Sequence, residues 1–223
     1  MKKYAIIVAG GSGTRMGSEI PKQFLDLKGK PVLMHSMNRF IDYDAAINLI
    51  IALPARQIEF WNSLCLEHQY EVPHQIVEGG SERFYSVKNA LALVEENALV
   101  GIHDAVRPLV SKQTINLAFQ SAMQFGSGIP SVSLSDSIRL IDGNYSKAVN
   151  RSDYQIIQTP QCFASSNLLL AFKQAYKREF TDDATVLESF GIAVHLTQGN
   201  PENIKLTTPA DLKIAEVLIN GIA

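Results

Sequence analysis

Cysteine is nearly absent from this chain: 223 residues hold two, Cys65 and Cys162. They lie far apart, with no Cys-x-x-Cys spacing and no histidine partner nearby. That excludes a disulfide framework and fits a reducing compartment, the cytoplasm, with both thiols as space-fillers. Long apolar runs are missing as well. No stretch approaches the ~20 residues that span a bilayer. The run Tyr4–Ala9 behind Met1-Lys2-Lys3 is too short for a secretory signal and ends in Gly-Gly instead of a cleavage site. Nor does one sign of charge dominate. Twenty Lys+Arg against 22 Asp+Glu leave a formal net charge of −2, which argues against a nucleic-acid binder that relies on bulk positive charge. Basic residues must therefore act locally.

What is present suits an ordinary globular protein. Hydrophobic residues make up 46% and charged residues 19%, and the length fits one domain over 1–223 with a substantial core. Strand-like apolar runs are Tyr4–Ala9, Ile47–Leu53, His74–Glu78, Leu99–His103, Ile129–Leu134 and Ile192–Thr197. Between them run helical patterns over Val32–Phe40, Arg56–His68, Val87–Glu96 and Thr114–Phe125, and Gly126 and Gly191 stand where helices stop. Thr208-Pro209-Ala210-Asp211 reads as an N-cap, a first-turn proline and an early acid. The helix it opens carries Leu212, Ala215, Leu218 and Ile219 inward. This alternation predicts an α/β fold: a three-layer, Rossmann-like, mostly parallel sheet with helices on both faces. One region departs from it. Between about 136 and 155, two short alternating strands flank a Gly143-Asn144 turn, as in a β-hairpin with too little apolar surface to stand alone. Such an arm packs on something, and a second subunit is the natural candidate.

The chemistry concentrates where the first strand empties into Gly10-Gly11-Ser12-Gly13-Thr14-Arg15-Met16-Gly17, followed by Pro21-Lys22-Gln23-Phe24. Glycines let backbone N–H groups approach an anion unobstructed, and Arg15 and Lys22 add two cations within one loop. The alternative is a tight turn with solvated charges. Two familiar phosphate motifs fail. The dinucleotide fingerprint needs glycine where Met16 stands, and the P-loop pattern needs lysine where Ser18 follows Gly17. What remains suits a nucleoside triphosphate attacked at its α-phosphorus. Asp104 and Arg107, after the Leu99–His103 run, fall at the same carboxyl end of the sheet, where such folds bind ligands.

These residues carry a resemblance. The glycine loop with Pro21-Lys-Gln-Phe24, Gly79-Gly-Ser-Glu-Arg83, His103-Asp-Ala-Val-Arg-Pro108, Gln158-Thr-Pro-Gln161, Thr181-Asp-Asp-Ala-Thr185 and Asn203-Ile-Lys-Leu-Thr-Thr-Pro-Ala-Asp211 occur in order along the whole chain. Together they resemble the 2-C-methyl-D-erythritol 4-phosphate cytidylyltransferase family of the non-mevalonate isoprenoid route. The resemblance implies transfer of CMP from CTP to methylerythritol 4-phosphate, with Mg²⁺ as cofactor. It implies Arg15, Lys22 and Lys205 as catalytic cations. Ala9, Gly10, Gly11, Gly13, Gly80, Ser81, Ser86, Asp104 and Ala105 would hold the nucleotide, and Asp104 would also serve the metal. Arg107, Ser137, Arg139 and Arg151 would bind the acceptor, those of the arm contributed across a homodimer and Arg107 joining them from the partner subunit.

Departures from the family pattern are visible: Ser81 replaces an aspartate, Ser137 a threonine, and Arg139-Leu140 a Lys-Arg pair. Arg83 reads as an ion-pair residue, His103 as packing, and Asp182 and Asp183 as helix-start residues. Three rival readings remain. A ribitol-5-phosphate cytidylyltransferase shares the loop and the chemistry. A nicotinamide-dependent oxidoreductase lacks its fingerprint here, and a non-catalytic binding module would not keep the three cations.

Overall fold

In the computed structural model of the chain the described residues are 1–10 and 20–221. In chain order the elements are β1 (Lys3–Val8), β2 (Asp26–Leu27), β3 (Lys30–Pro31), α1 (Val32–Tyr43), β4 (Asn48–Leu53) and α2 (Ala55–Glu67). β5 (Gln75–Glu78), α3 (Arg83–Leu91), β6 (Leu99–Asp104), α4 (Lys112–Phe125) and β7 (Ser127–Ser133) follow. The remainder comprises β8 (Arg139–Asp142), β9 (Tyr145–Ala148), β10 (Gln155–Ile157), β11 (Gln161–Ala164), α5 (Ser165–Ala171), α6 (Asp183–Ser189), β12 (Leu196–Gln198) and α7 (Pro209–Leu218).

The main sheet runs β10-β7-β11-β6-β1-β4-β5, with β12 on the other edge of β7. β6, β1, β4 and β5 pair in parallel, and β12 is parallel to β7. β11 is antiparallel to both β6 and β7, and β10 is antiparallel to β7. The expected mostly parallel sheet is therefore present, with two reversed strands.

Alternation along β1 builds two cores. Ala5 and Ile7 face Leu33, Met37 and Phe40 of α1, Trp61 of α2 and Phe119 of α4. Tyr4, Ile6 and Val8 face Phe84 and Val87 of α3, Leu168 of α5 and Leu187 of α6. Each central strand thus sheds apolar area on both faces, which is why these strands read as continuous apolar runs. Helices lie on both sides, as expected. A smaller cluster gathers Leu27, Val106, Leu206 and Ala215, with Leu212, Leu218 and Ile219 packed against it. The α7 start has reciprocal capping between Thr208 and Asp211, with Pro209 in the first turn.

Several boundaries moved. α3 begins at Arg83 and ends at Leu91, well ahead of the expected Val87–Glu96, because Glu82 is extended and serves as its N-cap. The Ile192–Thr197 run pairs only from Leu196, while Ile192 and Val194 pack against the core from an irregular segment. β11 was not expected at all. Its Gln-Cys-Phe-Ala is short and lacks alternation, yet Cys162 and Phe163 are fully buried mid-sheet. Cys65 and Cys162 are free thiols, and burial pushes Cys65 up to about 11 and Cys162 well above its ordinary value, so both are inert fillers.

The hairpin is present as β8 and β9, paired from Arg139↔Ala148 to Asp142↔Tyr145, with Gly143 at positive φ in the turn. Every residue of its two strands is exposed, including Leu140, Ile141 and Tyr145.

Candidate active site

Three loops meet at the carboxyl ends of β1, β5 and β6, and the sheet ladder carries on into each of them. Ala9 N–H donates to the Ala52 carbonyl at 3.0 Å, Gly79 N–H to Leu53 at 2.7 Å, and Ala105 N–H to Val8 at 3.1 Å. The backbone of Ala9, Gly79 and Ala105 is thereby fixed by the same core that holds the strands.

Gly80 N–H donates to Ser86 Oγ at 3.1 Å, and that hydroxyl donates to the Glu82 carbonyl at 3.2 Å. A Cβ on Gly80 would sit 2.2 Å from Tyr85 Cβ, so only glycine allows this bend into α3. Gly10 lies across from the same hydroxyl, 3.8 Å from where its Cβ would be. Gly10, Gly80 and the buried Ser86 therefore form one cradle, with the exposed Ser81 at its rim.

Lys22 follows Pro21 in a short 3-10 turn, Lys22–Phe24, whose other two residues are buried. Gln23 donates to the Ala9 carbonyl at 2.8 Å and to Gln57 Oε1 at 2.7 Å, while Phe24 stacks on Trp61. The turn is nailed to the end of β1, and Lys22 shares a cleft with Ala9, Gly10, Gln23, Arg83, Asp104, Ala105 and Lys205. Gln23 and Gln57 had no sequence signal beyond the first one's place in the Pro-Lys-Gln-Phe run.

Asp104 is the electrostatic centre. Its Oδ2 lies 3.0 Å from Lys205 Nζ and 3.2 Å from Arg107 Nε, and its Oδ1 lies 3.9 Å from Arg83 Nε. Burial works against the charge, but Lys205, Arg83 and Arg107 outweigh it and hold the carboxyl well below the usual carboxylate range. Arg107 also donates to the Asn203 carbonyl at 2.7 Å. Asn203 is fully buried, donates to the Thr159 carbonyl at 2.8 Å, and stands two residues before Lys205. Within its own chain Arg107 is thus anchored beside Asp104.

Both oxygens of Asp104 face cations, and among the described residues no group of three carboxylate, thiol or imidazole side chains gathers to hold a metal ion. The site expected for magnesium is of another kind, a single carboxylate beside substrate phosphates.

Behind it, His103 is fully buried. Its Nε2 is 3.1 Å from the Arg107 carbonyl, which only accepts, so that nitrogen carries the proton. Nδ1 then accepts from Thr159 Oγ1 at 3.0 Å, and Thr159 Oγ1 accepts from Asp104 N–H at 3.1 Å. Burial lowers the imidazole to about 4 despite the nearby Asp104 charge. His103 is neutral packing with two directed bonds, as expected. A sign follows. The unfolded imidazole, with its ordinary value of 6.5, takes up its proton at higher pH than the folded one. Stability should therefore fall by about 3 kcal/mol as pH drops from 6.5 to 4, with no further loss from this group below that. Denaturant titrations at pH 7.5, 5.5 and 4.5 check this, and His103→Gln should remove that part of the slope.

A second cleft adjoins the first, sharing Arg83, Asp104 and Lys205 with it and lined further by Arg107, Thr159, Gln161, Thr181 and Asp182. Asp182 is the N-cap of α6, in a capping box with Thr185. Asp183 is the first residue of α6, as expected, and it is also buried and grips both terminal nitrogens of Arg83 at 2.7 Å. That bears out the ion-pair reading of Arg83. Thr159 and Gln161 sat inside a quoted motif without a role.

The sequence-derived residues divide cleanly. Ala9, Gly10, Lys22, Asp104, Ala105, Arg107 and Lys205 come together, with Gly80 and Ser86 beside them. Ser137, Arg139 and Arg151 line neither cleft. Arg139 folds onto Ser146 at 2.7 Å and Arg151 donates to the Ser135 carbonyl, both within the arm. Gly11, Gly13 and Arg15 lie outside the described residues.

A family model described as 2-C-methyl-D-erythritol 4-phosphate cytidylyltransferase (IspD) matches residues 4–221. The chain is 48% identical over 219 residues to the enzyme of that name from Bacteroides thetaiotaomicron, covering 98% of this chain and 100% of that one. It is likewise 48% identical over 223 residues to the Porphyromonas gingivalis protein, covering 99% of each. The solved structure of the Francisella tularensis enzyme superposes with a TM-score of 0.80 at 31% identity, over 97% of this chain and 99% of that one. The chain belongs to the 2-C-methyl-D-erythritol 4-phosphate cytidylyltransferase family.

Proposed function

We propose that this chain transfers CMP from CTP to 2-C-methyl-D-erythritol 4-phosphate through its two adjoining clefts. A phosphate oxygen of the acceptor bonds to the α-phosphorus, the α–β bridging P–O bond breaks, and pyrophosphate leaves with that electron pair. The acceptor phosphate is an anion near neutral pH, so no proton has to be abstracted, and neutral, buried His103 is not asked to do so. The work is to hold two polyanions together and to stabilise the charge that develops on the transferring group.

The observation that carries this reading is the shared wall. Asp104 and Lys205 line both clefts, so a lysine ammonium can meet phosphate oxygens arriving from either side. On the nucleotide side the backbone of Ala9, Gly10 and Gly80 with Ser81 and Ser86 reads the cytosine and ribose, and Ala105 closes the floor. Lys22, with Gly11, Gly13 and Arg15 from the glycine loop, neutralises the triphosphate. On the acceptor side Arg107 adds a cation. For the Mg²⁺ that the resemblance implies, the triphosphate's own oxygens would supply most of the hard ligands, with Asp104 as the carboxylate beside them.

The whole of 1–223 acts as one nucleotidyltransferase domain, and the arm completes the acceptor site in a cytoplasmic homodimer. Ser137, Arg139 and Arg151 line neither cleft of their own chain, and Arg139 and Arg151 bond within the arm, while exposed Leu140, Ile141 and Tyr145 offer an apolar face. Sedimentation should give a dimer, and Leu140→Asp/Tyr145→Asp should give monomers with a raised acceptor KM. A wild-type monomer at micromolar concentration would remove the arm from the mechanism.

The functional test is pyrophosphate release with CTP, offering methylerythritol 4-phosphate and ribitol 5-phosphate side by side. Turnover should require the methylerythritol ester. Turnover on the ribitol ester alone would overturn the acceptor assignment.

A further inference from the structure

Arg83 stands 3.9 Å from Asp104 yet spends both terminal nitrogens on Asp183, a residue 100 positions away with no place in the chemistry above. Three hydrogen bonds of one side chain, Gln161, fix the Asp183 end. Gln161 Oε1 accepts from Asp183 N–H at 3.0 Å and Ala184 N–H at 2.9 Å, and Gln161 Nε2 donates to Asp182 at 2.7 Å. The Arg83 end is equally fixed, because the next residue, Phe84, stacks between Phe172 and Phe180 in the core. The fork joins the first residue of α3 to the first residue of α6, and Arg83 itself lines both clefts.

We infer that Asp183 is a positioning residue: by holding both terminal nitrogens of Arg83 in a fork, it limits Arg83 to one distant Nε contact with Asp104 and leaves the close contacts of that carboxylate to Lys205 and Arg107. Asp104 has four good acceptor positions, and three cations surround it. An Arg83 released from its partner moves toward the nearest remaining negative charge, which is Asp104. A bidentate guanidinium binds a carboxylate more strongly than the Lys205 ammonium does, and Lys205 is the most exposed of the three cations. Lys205 would then lose its anchor without being touched by the substitution. The inference rests on the reading of Lys205 as a catalytic cation, and it gives Arg83 no contact with phosphate.

The decisive property is the sign of the coupling between two substitutions. Asp183→Asn removes the sink for Arg83, so kcat should fall about tenfold with the CTP KM changed less than threefold. Adding Arg83→Gln removes the misplaced cation. The double variant should recover to within about threefold of wild type, against the ordinary expectation that two lesions are worse than one. Asp183→Glu, which keeps a carboxylate for the fork, should retain most of the activity. Thermal melts of each variant identify folded protein. Should Asp183→Asn alone not fold, the neutral pair still decides, since it contains no freed cation. A folded double variant slower than Asp183→Asn, or tenfold or more below wild type, would overturn the inference. An Asp183→Asn enzyme at full speed would do so as well. Lys205→Ala in the same assay reports on the Lys205 assignment alone. The ratio of double to single variant reports on Asp183, because Lys205 is present in both.

Discussion

Replacing Lys22 by alanine should lower kcat by about 10²–10³ while moving the KM for CTP only a few-fold. Lys22 is carried on a turn whose next two residues are locked, Gln23 to the Ala9 carbonyl and Phe24 to Trp61. The ammonium is therefore held against the same strand end that presents Ala9 and Gly10 to the nucleotide. Binding of cytosine and ribose uses backbone groups that Lys22 does not supply, so ground-state affinity survives its loss. Charge that grows on the transferring phosphoryl group does depend on a fixed cation, and solvent does not replace one quickly. Arg15→Ala should behave alike. Rapid-quench measurement of CMP transfer, separate from product release, checks both. A Lys22→Ala enzyme near wild-type turnover would take that lysine out of the reaction.

Asp104→Asn should cost about 10² in kcat/KM for the acceptor, equivalent to about 2.7 kcal/mol of transition-state stabilisation. The substitution keeps the shape and removes the charge that organises Lys205 at 3.0 Å and Arg107 at 3.2 Å. Two cations then repel with nothing between them, and neither is held where an arriving phosphate needs it. Because Asp104 acts through Lys205, the effects should not add: Asp104→Asn/Lys205→Ala should be little slower than Lys205→Ala alone. Steady-state kinetics on the three variants measures this directly. Fully additive losses would mean that Asp104 works independently, as it would if it bound a substrate hydroxyl.

Much of this was written locally in the chain. The β1, β4 and β6 runs announced themselves because both faces are buried, and the α7 start carried its own cap at Thr208 and Asp211. The Gly143-Asn144 turn located the hairpin for the same reason: turn chemistry is a property of adjacent residues. What escaped was set by distant partners. β11 is four residues without a period, made a strand by β6 on one side and β7 on the other. α3 starts at Arg83, after extended Glu82, and the bond of that arginine to α6 is one that apolar spacing does not reveal. At the site, Lys22, Asp104 and Lys205 were legible by motif. Their anchoring by Gln23, Asn203 and Asp183 was not, since each bond joins segments far apart in sequence. The bond of Arg107 to the Asn203 carbonyl likewise joins distant segments and left no local signal. Among the described residues no helix is long and apolar enough to cross a membrane, in line with the missing apolar runs.

The central claim is that one shared wall, organised by Asp104, presents Lys205 to phosphates on both of its sides. A crystal structure with CTP and a non-reacting acceptor analogue tests it most directly. The account predicts the α-phosphate between Lys22 and Lys205 in the cleft floored by Ala9 and Ala105, with the acceptor phosphate reaching Lys205 from the Thr181 side. Nucleotide and acceptor found in one cleft, or a triphosphate that leaves Lys205 unengaged, would contradict it.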